Sequence, residues 1–334
     1  MDKLVFGTSG FPSTAPKKDP IAALQIVKDL GLGCMELEFA HGVRIRDETA
    51  SELARIARRL GIVLTAHAPY YINLNAKEQD KIDSSINRLL QTARLAGLCG
   101  AFSMTFHAAF YMKDDPRSVF QIVKKYLHQI TDRLRTEGNY IHLRPELTGR
   151  KSQFGTLEEL CALSTEINSV YPCLDFSHNQ TRSEGLGNSY KEFASIFERY
   201  KKALGKGALS EMHIHVAGVQ YGSKGEIRHL SLKDSQFNYM DFLKACVDFN
   251  IKGVVVCESP ELEKDALLLK AAYENLAAQP SKPAVVKKIG NIEIALKEPA
   301  KKTAKVKKSK AAAKVTKTKS VAKKKPAAAG ATQG

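Results

Sequence analysis

Apolar and polar positions along the chain fall into eight repeated units, each a short β-branched or alternating run followed by a longer stretch of helical period. The pattern predicts strands at Leu4–Gly7, Cys34–Phe39, Ile62–His67, Ala101–His107, Tyr140–Leu147, Pro172–Phe176, Glu211–Val216 and Gly253–Glu258. It predicts helices at Pro20–Leu30, Thr49–Leu60, Glu78–Leu98, Pro116–Arg135, Leu157–Ile167, Ser189–Leu204, Tyr239–Phe249 and Glu261–Leu276. Two helix starts carry cap signals: Asp47 ahead of Ala50, and Thr156 three residues before Glu159. Strict strand–helix alternation predicts a parallel sheet, and eight units close a (β/α)8 barrel. A doubly wound open sheet is the alternative, but it more often carries a phosphate-binding glycine fingerprint after its first strand. Here Gly7-Thr-Ser-Gly10 lacks the GxGxxG spacing, and Gly31-Leu-Gly33 precedes a strand. The expectation is a single (β/α)8 barrel over residues 1–280.

After Gln279-Pro280 the periodicity decays, and charge explains why. The chain has 334 residues and a net charge of +16. Residues 281–334 hold sixteen Lys, no Arg and two acids, Glu293 and Glu298, which leaves 35 basic and 33 acidic residues before them. Ala300–Gly334 carries twelve Lys and ten Ala with neither acids nor aromatics. Such a segment cannot bury enough apolar surface to offset the entropy of ordering, so a disordered polybasic tail is expected over residues 281–334. Its lysines, among them Lys301, Lys302, Lys307 and Lys308, suit nonspecific contact with DNA phosphates by counterion release.

Composition narrows the class further. No apolar run approaches the ~20 residues of a membrane span, and the opening MDKLVFGTSG lacks a signal peptide's apolar stretch. The six Cys are scattered without a CxxC pair, which argues against a disulfide framework or a thiolate zinc site. Trp is absent and aromatics are 7%, so a base-stacking platform for single strands is not expected. These features fit a monomeric cytoplasmic protein, associated with the nucleoid, or a nuclear one if the source is eukaryotic.

Candidate chemistry concentrates where the predicted strands end. His67 and His107 close the third and fourth, Glu146 the fifth, and Asp175 with His178 the sixth. His213 and His215 lie on the seventh, Glu226 and His229 follow it, and Glu258 closes the eighth. In a (β/α)8 barrel these positions converge on the rim that holds active sites. So many carboxylates and imidazoles on one rim are costly to desolvate unless cations lie among them. Nitrogen and oxygen donors suit Zn2+ or Mn2+, and their number suits two or three ions. Each has a bland reading too: Asp175 as a helix cap, Glu258 as a cap of the last helix, His142 as a core residue.

At these residues the chain resembles the endonuclease IV (deoxyribonuclease IV) family of apurinic/apyrimidinic endonucleases, within the xylose-isomerase-like TIM barrels. The matching stretches are Thr65-Ala-His-Ala-Pro-Tyr-Tyr-Ile-Asn-Leu74, Phe106-His107-Ala108, Pro145-Glu146-Leu-Thr-Gly149, Leu174-Asp175-Phe-Ser-His178, Met212-His213-Ile-His215 and Cys257-Glu258-Ser-Pro260. The resemblance spans residues 3–277 and implies three Zn2+ ions, Mn2+ being an alternative at one site. It implies that His67, His107 and Glu146 hold the first ion, and that Glu146, Asp175, His213 and Glu258 hold the second. His178, His229 and a carboxylate would hold the third. The family pattern places an Asp two residues before that His, but position 227 is Ile, and Glu226 is the nearest substitute. His215 stands where the family commonly has Asn. Strand alternation points His213 and His215 to the same barrel face, so either could be the ligand, with His213 favoured by its place in the motif.

The resemblance further implies hydrolysis of duplex DNA 5′ to an abasic site in base-excision repair, leaving a 3′-hydroxyl. Glu146 and Glu258 would be the catalytic carboxylates, and Tyr70 would lie against the DNA. Two rivals differ in class. A sugar isomerase or epimerase would use only Glu146, Asp175, His213 and Glu258, and a noncatalytic DNA-binding protein would need no ligand set.

Overall fold

A computed structural model describes residues 1–16, 19–39, 45–223 and 225–279, together with the strands Val286–Ile289 and Ile292–Ala295. Its strands, in chain order, are β1 (Leu4–Ser9), β2 (Cys34–Glu38), β3 (Val63–His67), β4 (Ser103–Phe106), β5 (His142–Pro145), β6 (Cys173–Asp175), β7 (Met212–Val216), β8 (Gly218–Gly222), β9 (Gly225–Leu230) and β10 (Gly253–Cys257). All but β8 and β9 form one parallel sheet in the order β5-β4-β3-β2-β1-β10-β7-β6. The ends of that sheet meet: Glu146 bridges Cys173 in parallel, and Leu147 N–H donates to the Cys173 carbonyl at 3.0 Å. The result is the expected (β/α)8 barrel. Its helices are α1 (Pro20–Asp29), α2 (Asp47–Leu60), α3 (Gln79–Leu98), α4 (Pro116–Thr136), α5 (Leu157–Glu166), α6 (Phe176–Arg182), α7 (Tyr190–Leu204), α8 (Tyr239–Asp248) and α9 (Glu263–Ala278).

Alternation along each strand separates two cores. Outward residues such as Phe6, Met35, Leu37, Phe106, Leu143, Ile214 and Val255 join the helices in the larger one. Inward residues Cys34, Val254 and Val256 pack with Val5 and Val63 in a small apolar floor. Gly7 is required there, because a Cβ would lie 1.8 Å from the Cys34 carbonyl oxygen. Toward the strand C-termini the interior turns polar. Glu36, Thr65, His67, Glu146, Asp175, His213 and His215 are all buried.

Thr156 forms the expected capping box: its Oγ accepts from Glu159 N–H while Glu159 accepts from Thr156 N–H. The expected Asp47 cap is corrected. Arg46 occupies the N-cap, and Asp47 lies inside the first turn, where its charge favours the helix dipole. Glu258 does not cap the last helix, whose N-cap is Leu262. Two elements were not expected. Helix α6 begins directly after β6, and the antiparallel β8–β9 hairpin fills the connection from β7 to α8. Phe176 pins α6 against the rings of Phe193, Phe197 and Phe242 at 5.6, 5.4 and 4.8 Å.

Contacts divide the chain into Met1–Pro280 and Ser281–Gly334. In the second unit Val286–Ile289 pairs antiparallel with Ile292–Ala295, so this part of the Lys-rich segment carries strands. Apart from these two strands, the segment 281–334 expected to be disordered lies outside the described residues, as do Lys301, Lys302, Lys307 and Lys308. Among the described residues no helix is long and apolar enough to cross a membrane.

Truncating Phe176→Ala removes a buried ring from a four-ring cluster and is expected to cost about 3–5 kcal/mol. Thr156→Ala, losing one cap, is expected to cost about 1 kcal/mol. Urea unfolding midpoints of the two variants check both the order and the gap.

Candidate metal centre

The barrel delivers five donors to one rim because each stands at the C-terminal end of an inward-facing register, while His215 lies within β7, His178 on α6, and Glu226 and His229 on β9. His67 ends β3 and Asp175 ends β6, while His107, Glu146 and Glu258 each follow their strand by one residue. Glu146 is the hub. Its Oε2 lies 3.3 Å from His67 Nε2 and 3.1 Å from His107 Nε2. Its Oε1 lies 3.1 Å from His178 Nδ1 and 3.4 Å from His215 Nδ1. Among the described residues four donor groups have ligand atoms within 4.8 Å of one another, three of them at the rim: His67, His107 and Glu146; Glu146, Asp175, His215 and Glu258; and His178, Glu226 and His229. The fourth, Cys173, His213 and His215, holds the one expected donor that the rim groups lack, His213.

Hydrogen bonds behind the imidazoles fix which nitrogen faces the rim. His67 Nδ1–H donates to the Ala68 carbonyl at 2.7 Å, and His229 Nδ1–H to the Glu258 carbonyl at 3.0 Å. His215 Nε2 lies 3.2 Å from His213 Nε2 and 3.1 Å from Glu36 Oε1, on the side away from the rim. In neutral His67 and His229 the opposite nitrogen is then a lone pair aimed at carboxylates, and His215 turns its Nδ1 toward carboxylates too. For His215 those are Glu146 Oε1 and Glu258 Oε1, at 3.4 and 3.3 Å. Lone pairs facing anions in a buried site are stabilised only by a proton or a cation between them. Among the described residues, Glu146 Oε1, Asp175 Oδ2, His215 Nδ1 and His229 Nε2 are buried without a hydrogen-bond partner. The donor set fits small divalent cations, with Glu146 shared between two groups.

The structure corrects the preference for His213. That ring lies one layer deeper, with both nitrogens engaged: Nε2 is 2.9 Å from Glu36 Oε2, and Nδ1 is 3.0 Å from Ser103 Oγ. It also approaches Cys173 and His215. Burial pushes the Cys173 thiol up to about 11, which keeps it a protonated neighbour. Sequence reasoning missed Glu36 and Glu38 on β2, although the alternation in Cys-Met-Glu-Leu-Glu turns both inward. Burial opposes the charge of Glu36, but His215 and His213 hold it well below the usual carboxylate range. Its remaining bond comes from Thr65 Oγ–H at 2.8 Å. Glu38 accepts from Ser9 Oγ–H at 2.7 Å, and burial pushes it up to about 7.

Tyr70 stands at the mouth, 55% exposed, its ring 5.4 Å from that of His67 and 6.4 Å from that of His107. Tyr71 beside it is 70% exposed. His142 sits in the barrel interior between the rings of Phe102 and Tyr171, at 5.6 and 4.9 Å, and joins no donor group.

The family described as a Xylose isomerase-like TIM barrel matches residues 24–279. "Uncharacterized protein MJ0133" of Methanocaldococcus jannaschii is 43% identical over 273 residues, covering 82% of this chain and 98% of that protein. "Probable endonuclease 4" of Mycoplasma genitalium is 23% identical over 202 residues, 59% of this chain and 67% of that one. Among solved structures, endonuclease IV from Thermus thermophilus superposes with a TM-score of 0.62 at 18% identity, covering 82% and 98% of the two chains. A D-tagatose 3-epimerase-like protein also reaches 0.62, at 14% identity, covering 81% and 96%. These two likenesses speak to the fold alone, and they divide equally between a nuclease and a sugar enzyme.

Two outcomes are expected at the centre. Burial pushes Asp175 up to about 7, aided by Glu258 and Glu146 against His178. Burial opposes charge on His67 and His229, yet their carboxylate neighbours raise them to about 10 and about 9. Without a cation these groups carry protons that binding must displace, so Zn2+ affinity rises with pH from neutrality toward pH 9, and protons are released. A pH-stat titration reads that release, and proton-free binding at pH 7 would contradict it. The second outcome concerns Glu36→Gln, which leaves every ligand in place. It is expected to weaken the cation at His215 by about 10–100-fold. Dialysis against a competing chelator measures the loss, and long-range proton–nitrogen correlation spectra report the protonation of the His213 and His215 rings.

Proposed function

The chain belongs to the xylose isomerase-like TIM barrel family, and from that premise we propose that it is a metal-dependent endonuclease hydrolysing duplex DNA 5′ to an abasic site, to leave a 3′-hydroxyl. The observation that carries this reading is the joining of three donor groups through Glu146, Asp175 and His178. A sugar isomerase or epimerase needs only the group of Glu146, Asp175, His215 and Glu258. Such an enzyme has no use for four further imidazoles, His67, His107, His178 and His229, converging on the same rim. Displacement at phosphorus does, since its attacking, leaving and nonbridging oxygens all carry charge.

Zn2+ ions, or Mn2+ at one position, held by these groups supply Lewis-acid stabilisation and a more acidic water. The chain's own residues shape what that chemistry acts on. Glu146 lies 3.3 Å from His67 Nε2 on one side and 3.1 Å from His178 Nδ1 on the other, and so fixes the spacing of two groups. Glu258 lies between His215 and His229, linking the second group to the third, at 3.3 and 3.9 Å. Burial opposes its charge, but His215 holds it at about 2, so it stays ionised at neutral pH. Glu146 and Glu258 are therefore the carboxylates assigned to catalysis. Tyr70 at the mouth is placed to meet the DNA beside the lesion. Extruding the nucleotide costs least where no base remains to unstack. The lysines of residues 281–334 add nonspecific affinity for DNA. The enzyme so described is a monomer acting on DNA, with no membrane partner.

The test is cleavage of a duplex carrying one tetrahydrofuran abasic analogue, which cannot undergo the β-elimination that lysine amines promote at true abasic sites. A cut 5′ to the analogue is expected, abolished by chelator and reduced at least about a hundredfold by Glu258→Gln. Removal of residues 281–334 is expected to preserve cleavage while flattening its dependence on salt. A protein with all three groups loaded that leaves the analogue intact, but epimerises a ketose, would replace this reading with the sugar enzyme.

A further inference from the structure

Glu226 and His229 lie three residues apart on β9, and on a regular strand side chains so spaced face opposite sides. Here they face the same side. Glu226 Oε1 is 3.2 Å from His229 Nε2, and Oε2 is 2.8 Å from His178 Nε2. The hairpin ladder supplies the reason. Val219 pairs with His229 and Gln220 with Arg228, but the next residue, Tyr221, pairs with Glu226. Ile227 is left without a partner across the hairpin, an extra residue inserted in one strand of the pair. Exposure along β9 follows this shift. Glu226 and His229 are half-buried, while Ile227 and Arg228 between them are both exposed, Ile227 at 63%.

We infer that this β-bulge at Ile227 is what makes Glu226 the carboxylate of the third donor group, so that Glu-x-x-His binds a cation here only in the bulged register. The inference rests on reading the three groups as cation sites, and it explains how the chain dispenses with an acid at position 227. Two consequences separate it from a simple exchange of one acid for another. A carboxylate moved to position 227 faces solvent and gains nothing. Deleting Ile227 instead removes the bulge, leaves Glu226 two residues before His229, and returns both to one face by plain alternation.

The experiment counts and weighs bound Zn2+ in the full chain by chelator competition, with Co2+ absorption as a second readout. Glu226→Ala is expected to lose one equivalent, its affinity falling more than about tenfold. The double variant Glu226→Ala/Ile227→Asp is expected to recover none of it. Deletion of Ile227 is expected to keep the equivalent, within about tenfold of the native affinity. Recovery in the double variant would show that the side chain at 227 reaches the ion and would overturn the inference. So would loss of the equivalent on deletion with an unchanged urea midpoint. Should the deletion fail to fold, the double variant decides alone. A native protein that fills all three groups yet leaves abasic DNA uncut overturns the proposed activity and not the bulge, whereas a third group that never fills overturns the bulge.

Discussion

A buried carboxylate surrounded by imidazoles sets the terms for this barrel. Glu146 is 1% exposed and lies within 3.4 Å of nitrogens from His67, His107, His178 and His215. Burial alone would neutralise it, but His107 and its neighbours hold it well below the usual carboxylate range. The arrangement is stable only while positive charge, as protons or as metal ions, remains among those rings. Every other donor on the rim is placed with respect to this one group.

The barrel supports that charge from beneath. Under the rim the interior is hydrogen-bonded where many barrels are filled with branched apolar side chains. Glu36 ties Thr65, His213 and His215 together, and Ser103 completes the contact to His213. Deeper still, Arg144 is fully buried. It donates to the carbonyls of Pro172 and Glu211 while its guanidinium lies 5.1 Å from the Phe102 ring. These layers hold the rim imidazoles in fixed orientations, so their donor atoms converge before any ligand arrives.

Much of this was legible in the sequence, because alternation and helical period are local properties. All eight barrel strands and every α-helix among the described residues except α6 appear in the apolar pattern, and strand C-termini place His67, His107, Glu146, Asp175 and Glu258 on one rim. What escaped depends on depth and register. Alternation puts His213 and His215 on the same face, and only their heights in the barrel reveal which one meets Glu146. Glu36 was hidden because an acid inside a buried strand carries no local signal beyond its parity. The β8–β9 hairpin was missed because its residues are half-exposed, and a bulge breaks the period that would have announced it.

One carboxylate on the rim has two employments. Asp175 Oδ1 accepts the His178 N–H at 2.8 Å and so caps α6, while Oδ2 is buried without a hydrogen-bond partner. With one oxygen committed to the helix, the other is turned by the same bond to lie 3.0 Å from His178 Nδ1, among the second group's donors. The start of a seven-residue helix thus aims a carboxylate: the backbone that the side chain caps also sets the direction in which its free oxygen points.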